Sequence, residues 1–349
     1  MKRLRLPHKR SARLLAVLIT AAGVVLLLLL RGPDWPRVGQ AFTDVSWQWV
    51  FAALALNIIS VLMRVLCWWA ILVPALAERQ LRFLSVLSSF AAGLIANAIL
   101  PGRGGELARV AVLHHKLKNR QGLWSILIGT VVAYRLLDLI PAVAIAVWVV
   151  LAAPLPAWAF SSLISVIALG AALFLAGIAI ARRDDPGLDA KLGPLRRAVA
   201  FARHGLAALR SPGSGAYAAA WQTLGWLCQL LAVWTGMRAF NINVPLSAAG
   251  LVLVLMNIAL ILPLWTGNIG LLQAAIAIPL IGYGISYSRG FAFGIGLQVI
   301  EASVGIGYGL VFLTREGIGF AALRESRRAA ASRSPNGKAG GEPPARPEN

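Results

Sequence analysis

The stretch Leu100-Pro101-Gly102-Arg103-Gly104-Gly105-Glu106-Leu107-Ala108-Arg109 decides how this sequence folds. It puts a helix breaker, three glycines and three charged residues between two apolar runs. The 349 residues are 58% hydrophobic and only 13% charged, and several runs reach the ~20 apolar residues that cross a bilayer. Irregular backbone at membrane depth is tolerated only where protein or water covers it. The stretch therefore predicts a functional turn within an all-α membrane protein.

A second interruption of the same kind, Leu262-Pro263-Leu264-Trp265-Thr266-Gly267-Asn268-Ile269-Gly270, lies in the second half of the chain. Asn97 precedes Leu100-Pro101 as Asn257 precedes Leu262-Pro263, and glycines follow in both places. Paired broken segments in the two halves of a membrane chain are typical of transporters. We expect the two tips to meet near the midplane and to gate access from opposite sides.

Positive charge distinguishes two full spans from one re-entrant hairpin at each interruption, because Lys and Arg mark the cytoplasmic side. With a cytoplasmic N-terminus, a full crossing by the first arm would place Lys116, Lys118 and Arg120 outside. A hairpin that enters and leaves on the cytoplasmic side keeps them inside. By the same rule the second pair becomes a hairpin from the outside. The paired arms are 84–100 with 105–115 and 247–263 with 268–284.

The predicted architecture is a membrane helix bundle of six full spans and two re-entrant hairpins, arranged as an inverted repeat. The full spans are expected at 14–30, 47–73, 123–150, 157–181, 217–237 and 290–313. This topology leaves 27 of the 33 Lys and Arg inside, four outside and two within spans. The net charge of +20 is thus interpreted as membrane orientation rather than nucleic-acid binding.

The predicted domain organisation is one transmembrane unit between two cytoplasmic tails in a plasma membrane. Residues 1–13 form the basic N-terminal tail, and 324–349 form a polar tail that should be disordered. The transmembrane domain covers 14–323, with 14–150 as its first repeat and 157–313 as the inverted second repeat. The two cysteines and four histidines suggest no disulfide framework or metal cluster, so we expect neither metal nor cofactor.

The first interruption carries the strongest candidate binding residues. Arg103 and the free backbone N–H groups at the start of the next helix would suit a phosphate. Gly104 and Gly105 allow close approach of the backbone. Glu106 and Arg109 are three residues apart, so they share a helical face and can pair. The alternative is a cytoplasmic turn with solvated charges.

Four charged residues inside predicted spans are further candidates, because an isolated charge there costs a few kcal/mol. Arg135 and Asp138 are three apart and can neutralise each other, either as a headgroup or proton site or as a structural ion pair. Arg64 has no acid nearby in sequence, so it needs a distant partner or snorkels to the interface. Glu301 has no base nearby, which makes it a candidate partner for Arg64 or Arg135, or a protonatable site.

The second interruption offers polar candidates without charge. Gly267 and Asn268 follow its proline. They could line a polar path through the membrane or merely cap the following helix.

The order and spacing of these motifs resemble a flippase-like family, named for the transmembrane region of lysylphosphatidylglycerol synthases, over residues 10–320. The family's Glu-Arg-x-x-Asp motif is similar to the segment 134–138, where Tyr134 replaces the Glu. Its Pro-x-Arg-x-Gly-Glu pattern and nearby Arg resemble Pro101, Arg103, Gly105, Glu106 and Arg109. Further matches are Arg64 and Trp68, with Cys67 replacing an Arg, then Pro263, Gly267, Glu301 and the segment 315–317.

The resemblance implies movement of amphipathic lipids between leaflets: aminoacylated phospholipids in the fused synthases, and phospholipids, isoprenoid lipids or lipid-linked sugars elsewhere. Only the polar tail follows the last span here, so lysyl transfer is not expected. We predict a translocator of a lipid with an anionic headgroup. Its phosphate would contact Arg64, Arg103, Arg109 and Arg135, while Glu106, Asp138 and Glu301 would compensate charge or exchange protons.

Two other classes stay open from the residues alone. A membrane-embedded transferase acting on a lipid-linked sugar would need a positioned base or nucleophile. The chain offers the three carboxylates but no Ser/His/Asp set and no metal cluster, so we expect no enzyme. A scaffold would recruit lipid-synthesis enzymes through basic loops such as 182–215, with seven Lys or Arg against three Asp. Anionic lipids are the expected partners in either case.

Overall fold

The structure is a computed structural model that describes residues 32–76, 81–99, 104–117, 122–153, 157–182, 212–260 and 268–315. It is helical within these ranges. In chain order the helices are α1 (Trp35–Thr43), α2 (Trp47–Leu76), α3 (Phe83–Ile99), α4 (Gly105–Lys116), α5 (Leu123–Ala152), α6 (Ala157–Arg182), α7 (Pro212–Ala239), α8 (Leu246–Ala259), α9 (Leu271–Ile281) and α10 (Tyr287–Arg315). The predicted span 14–30, the tips 100–103 and 261–267 and both predicted tails lie outside the described residues.

Long apolar helices identify a multi-pass membrane protein. Within the described ranges, α2, α5 and the Tyr287–Val311 part of α10 are long and apolar enough to cross a bilayer. Their outer faces carry large apolar side chains, including Trp47 at 68% and Leu151 at 81% exposure, which suits contact with lipid. The predicted spans 157–181 and 217–237 correspond to α6 and α7, which are 26 and 28 residues long.

A short amphipathic helix, α1, occupies a segment for which the sequence predicted only an external loop. The Asp34 side chain caps its first turn by accepting from the Arg37 backbone N–H at 3.5 Å. Val38 and Ala41 are buried, and α1 packs against α10. The Asp34 N–H also donates to the Ser288 hydroxyl at 3.0 Å. These contacts hold α1 at the start of α10.

The first predicted hairpin corresponds to α3 and α4, which pack against each other. Gly93 and Gly105 permit this approach, since a Cβ atom on Gly105 would overlap the Gly93 carbonyl oxygen. The Asn97 side chain accepts from the Gly105 N–H at 2.9 Å, which satisfies one of the exposed donors at the start of α4. Lys116 donates to Ser88 at the other end of the arms. The two arms therefore form one closely packed unit.

The second hairpin corresponds to α8 and α9, and its arms are shorter than the predicted 247–263 and 268–284. Gly270, at φ 91°, starts α9 in a backbone conformation that favours glycine. Its N–H donates to the Gln273 side chain at 2.6 Å. Asn268 donates from its side chain to the Ala259 carbonyl at 3.2 Å. α8 thus ends four residues before the predicted end of its arm, and α9 begins three residues after the predicted start of its own.

The open ends of the two hairpins lie at opposite ends of the bundle. At one end, the Trp69 indole donates to the Leu81 carbonyl at 3.2 Å, where α2 leads into α3. The His114 ring lies 4.9 Å from the Trp124 ring there, which brings the end of α4 to the start of α5. Because α5 runs from that end to the other, its later residue Trp148 meets the start of α8.

Packing in the second half of the bundle follows the pattern of the first. α2 and α7 pack along each other, and each hairpin packs its own two arms together. Across the halves, α3 packs on α10 as α8 packs on α5. Within the halves, α4 packs on α5 as α9 packs on α10. Two separate apolar cores result, one with Trp68 and Leu127 and the other with Met237 and Phe293.

Candidate functional site

Charged side chains from α2, α4, α5 and α10 gather around α7, near the middle of the long helices. Arg64, Asp138 and Glu301 occupy central positions of α2, α5 and α10. A charge so far from the helix ends is expensive in a bilayer unless the protein compensates it. The contacts of these side chains therefore define the candidate site.

Arg135 of α5 forms ion pairs with two carboxylates. Its Nε donates to Glu106 Oε1 at 2.6 Å, and its Nη2 contacts the same oxygen. Its Nη1 donates to Asp138 Oδ2 at 3.0 Å, as the three-residue spacing predicted. The Arg135 side chain remains 44% exposed, so this part of the site opens at the surface of the bundle.

Asp138 lies deeper and accepts hydrogen bonds from α7 as well. Its Oδ1 accepts from the Trp226 indole N–H at 2.8 Å and from the Gln222 amide. Together with Arg135, three donors compensate a carboxylate whose side chain is only 12% exposed. Asp138 thereby joins α5 to α7.

Arg64 and Glu301 meet through an amide rather than as a direct ion pair. Arg64 Nη2 donates to Gln229 Oε1 at 2.8 Å, and Gln229 Nε2 donates to Glu301 Oε1 at 2.8 Å. The sequence predicted Glu301 as a candidate partner for Arg64 or Arg135, but it could not identify the intervening residue. The three side chains connect α2, α7 and α10.

Trp226 connects the two groups of charges. Its indole N–H is bonded to Asp138, and its ring lies 5.7 Å from the Arg64 guanidinium carbon. Gly225 leaves room for Arg64, since a Cβ there would lie 3.2 Å from Arg64 Cγ. Sequence reasoning missed this face of α7. Its signal is a set of polar or small residues at helical spacing in an apolar segment, namely Gln222, Gly225 and Gln229, with Trp226 on the same face.

Arg109 of α4 is buried in an aromatic cage, and the predicted pairing with Glu106 is wrong. Its guanidinium carbon lies 4.8 Å from the Trp68 ring, 5.3 Å from Phe90 and 4.8 Å from Tyr134. Ring faces compensate part of a cation's charge. Its Nε and Nη2 have no hydrogen-bond partner in the part of the chain that the structure describes. Glu106 instead turns toward Arg135, because α5 packs on α4.

The remaining predicted site residues lie at the hairpins. Gly104 and Gly105 start α4, where the Gly105 N–H is occupied by Asn97. Asn268 is buried and contacts the end of α8. Arg103 and Gly267 lie outside the described residues.

An apolar groove of about 340 Å³ begins beside Asp138. Trp226 forms a wall of this groove, so the same side chain borders both groove and charges. The Thr223 hydroxyl donates to the Ala219 carbonyl at 2.9 Å, which leaves the groove surface apolar. The lining residues are Pro141, Ala144, Ile145, Trp148, Thr223, Trp226, Leu227, Leu230 and Leu246.

The arrangement suits an amphiphile with an anionic group. Among the described residues, three arginines and three carboxylates form the site, so their charges cancel. A bidentate guanidinium is well suited to phosphate or carboxylate, and the groove is suited to a hydrocarbon chain. No three His, Cys, Asp or Glu side chains gather as a metal site within the described ranges.

Comparison with known proteins agrees with the motifs. The family model described as lysylphosphatidylglycerol synthase TM region matches residues 13–326, which confirms the resemblance found in the sequence. Searches of curated proteins and of solved structures found no match.

Proposed function

We propose that this chain, which belongs to the lysylphosphatidylglycerol synthase TM region family, moves a lipid with a phosphate-containing anionic headgroup between the leaflets of a plasma membrane. The family indicates a lipid-related function in a membrane. The observation that carries the proposal is the charged site at Arg64, Arg135 and Asp138, which shares Trp226 with an apolar groove. The charged site would hold the headgroup of the lipid, and the apolar groove would hold its hydrocarbon chain.

The headgroup would bind at the arginines. Arg135 is partly exposed, so an incoming phosphate can reach it first. Arg64 lies on the other side of Trp226 and has a buried Nε without a hydrogen-bond partner among the described residues. Because guanidinium–phosphate contacts are strong at low dielectric, passage from one arginine to the other would keep the phosphate compensated. The hydrocarbon chain would lie in the groove or in the surrounding bilayer.

Alternating access would come from an inverted repeat with six full spans and two re-entrant hairpins. Two observations support it: the packing of the two halves follows one pattern, and the hairpins open at opposite ends of the bundle. Each hairpin can then control entry from one face. The concentration of Lys and Arg in the predicted cytoplasmic segments supports cytoplasmic N- and C-termini.

Transport without a chemical change of the lipid is the favoured activity. Glu106 and Asp138 are both paired with Arg135, so each would have to break an ion pair before it could act on a substrate. A lipid-synthesis enzyme as a binding partner stays compatible with this activity, since the segment 182–215 carries seven Lys or Arg that suit contact with an acidic partner.

Reconstitution tests the proposal directly. Purified protein in phosphatidylcholine vesicles should accelerate the movement of fluorescent phosphatidylglycerol between leaflets, followed by dithionite quenching. Arg64→Gln and Arg135→Gln should each slow this movement about tenfold or more, since each removes a charge-assisted contact. Arg289→Gln, at an exposed position near the start of α10, is the matched control and should leave the rate unchanged.

Two results would contradict the proposal. One is equal movement of lipid by wild type, Arg64→Gln and protein-free vesicles. The other is a change in the mass of the lipid after incubation, which would identify a transferase.

A further inference from the structure

Gln229 keeps Arg64 and Glu301 apart with a single side chain. Its Oε1 accepts from Arg64 Nη2 at 2.8 Å, while its Nε2 donates to Glu301 Oε1 at 2.8 Å. A primary amide carries its acceptor and its donors on different atoms, so this orientation alone serves both partners. The Ser60 hydroxyl, 3.4 Å from Gln229 Oε1, adds a weaker contact to the same oxygen.

Arg64 and Arg135 differ in whether a carboxylate contacts them directly. Arg135 contacts Glu106 and Asp138 directly. Arg64 has no carboxylate within ion-pair distance in the described part of the chain, and its Nε is buried without a hydrogen-bond partner there. Arg64 is thus a partly buried cation with unused donor capacity at its buried Nε.

The position of Arg64 is held from the α7 side. The Trp226 ring lies 5.7 Å from its guanidinium carbon, and Gly225 admits its aliphatic stem. The Ser60 hydroxyl on the same helix as Arg64 donates to the Gly225 carbonyl at 2.8 Å, which fixes α2 against α7. Arg64 therefore stays near Glu301 even without its bond to Gln229.

Without the amide between them, Arg64 and Glu301 would attract each other. They already lie on either side of one amide group, since each bonds Gln229 at 2.8 Å. A guanidinium and a carboxylate form short bidentate pairs that are strong in a low-dielectric interior. A phosphate would then have to displace Glu301 before it could bind Arg64.

We propose that Gln229 is a positioning residue that reserves Arg64 for an anionic phosphate. It compensates Glu301 by donating to it and keeps that carboxylate one amide away from Arg64. This inference rests on the proposed function and adds to it the residue that keeps Arg64 open to the headgroup phosphate. If Gln229 were merely structural, its loss would lower the stability of the protein. If it positions Glu301, its loss lowers phosphate binding because Glu301 then pairs with Arg64.

A double substitution separates these two roles. Binding of phosphatidylglycerol and of diacylglycerol, which lacks the phosphate, is measured by native mass spectrometry on protein in detergent. Gln229→Ala should weaken phosphatidylglycerol binding about tenfold, the loss expected when an ion pair takes one charged donor away, with little change for diacylglycerol. Adding Glu301→Gln should restore phosphatidylglycerol binding to within about threefold of wild type, because the competing carboxylate is gone.

Two further variants complete the design. Gln273→Ala also removes a buried amide, one that contacts Gln298 rather than an arginine, and should leave lipid selectivity unchanged. Arg64→Gln should abolish the preference for phosphatidylglycerol. Failure of Glu301→Gln to rescue Gln229→Ala would overturn the role of Gln229 alone. If Arg64→Gln kept the wild-type preference, the headgroup site itself would be wrong.

Discussion

At the scale of single residues, Asp138 is the carboxylate of the site that bonds the most side chains among the described residues. It accepts from Arg135, Gln222 and Trp226. We expect Asp138→Asn to lower the free energy of unfolding by about 2–3 kcal/mol, because the new NH₂ group would face a donor and leave both unsatisfied. Titration with SDS in mixed micelles measures the change.

Asp44→Asn is the matched control for that measurement. Asp44 is exposed after α1, so its replacement should stay within about 0.5 kcal/mol of wild type. Equal losses for the two variants would mean that the hydrogen bonds of Asp138 add nothing to stability.

Local spacing predicted the residue contacts within one helix better than those between helices. The Arg135–Asp138 pair followed from a separation of three residues. Glu106 was assigned the wrong arginine, because its true partner depends on how α4 packs against α5. The partner of Arg64 escaped prediction because Gln229 is uncharged and lies 165 positions away in the chain. Sequence therefore indicated which charges needed compensation, but not how each is compensated.

At the scale of helices, the close contact of α3 with α4 predicts whether an added methyl group lowers or raises the stability of the protein. Gly105→Ala should destabilise the protein by about 1–3 kcal/mol, since the added methyl group meets the Gly93 carbonyl oxygen. Gly307→Ala should instead stabilise the protein. Its Cβ meets nothing within 4 Å, and Ala is up to ~1 kcal/mol better than Gly in a helix.

Both glycine variants are compared by thermal unfolding in detergent, followed by circular dichroism. The expected order of midpoints is Gly307→Ala, wild type, Gly105→Ala. A midpoint for Gly105→Ala at or above that of wild type would show that the hairpin arms are not in close contact.

Helix positions were predictable where apolar runs are long and interrupted by Pro and Gly. The arms of the first hairpin begin and end within a residue or so of the predicted bounds. The arms of the second hairpin are shorter than predicted, and the side chains of Asn268 and Gln273 bond backbone groups at the end of α8 and before the start of α9. α1 was missed because its apolar stripe is only two turns long and depends on α10 for burial.

At the scale of the whole molecule, the opposite openings of the two hairpins can be tested by labelling. His115→Cys and Gly282→Cys place thiols at exposed positions, after Cys67 and Cys228 are replaced by alanine. We expect a membrane-impermeant maleimide to label Gly282→Cys in intact cells. His115→Cys should react only after permeabilisation. Labelling of both positions from the same side would exclude the inverted arrangement.

The mutual packing of the two halves was the least predictable property. Charge distribution indicated which ends of the helices share a side of the membrane, and so suggested the repeat. It carried no information on which faces meet, because nearly every face of α2, α5 and α7 is apolar. The meeting of α2 with α7 depends instead on small and polar residues such as Ser60 and Gly225, which allow close packing of membrane helices.

The aromatic cage around Arg109 has a consequence for biosynthesis. Its walls come from α2, α3 and α5, and α5 is translated after α4. A nascent α4 released into the bilayer would therefore carry an incompletely shielded guanidinium into hydrocarbon. We therefore expect the insertion machinery to retain the first hairpin until Tyr134 has emerged from the ribosome, and to release these four helices into the bilayer together.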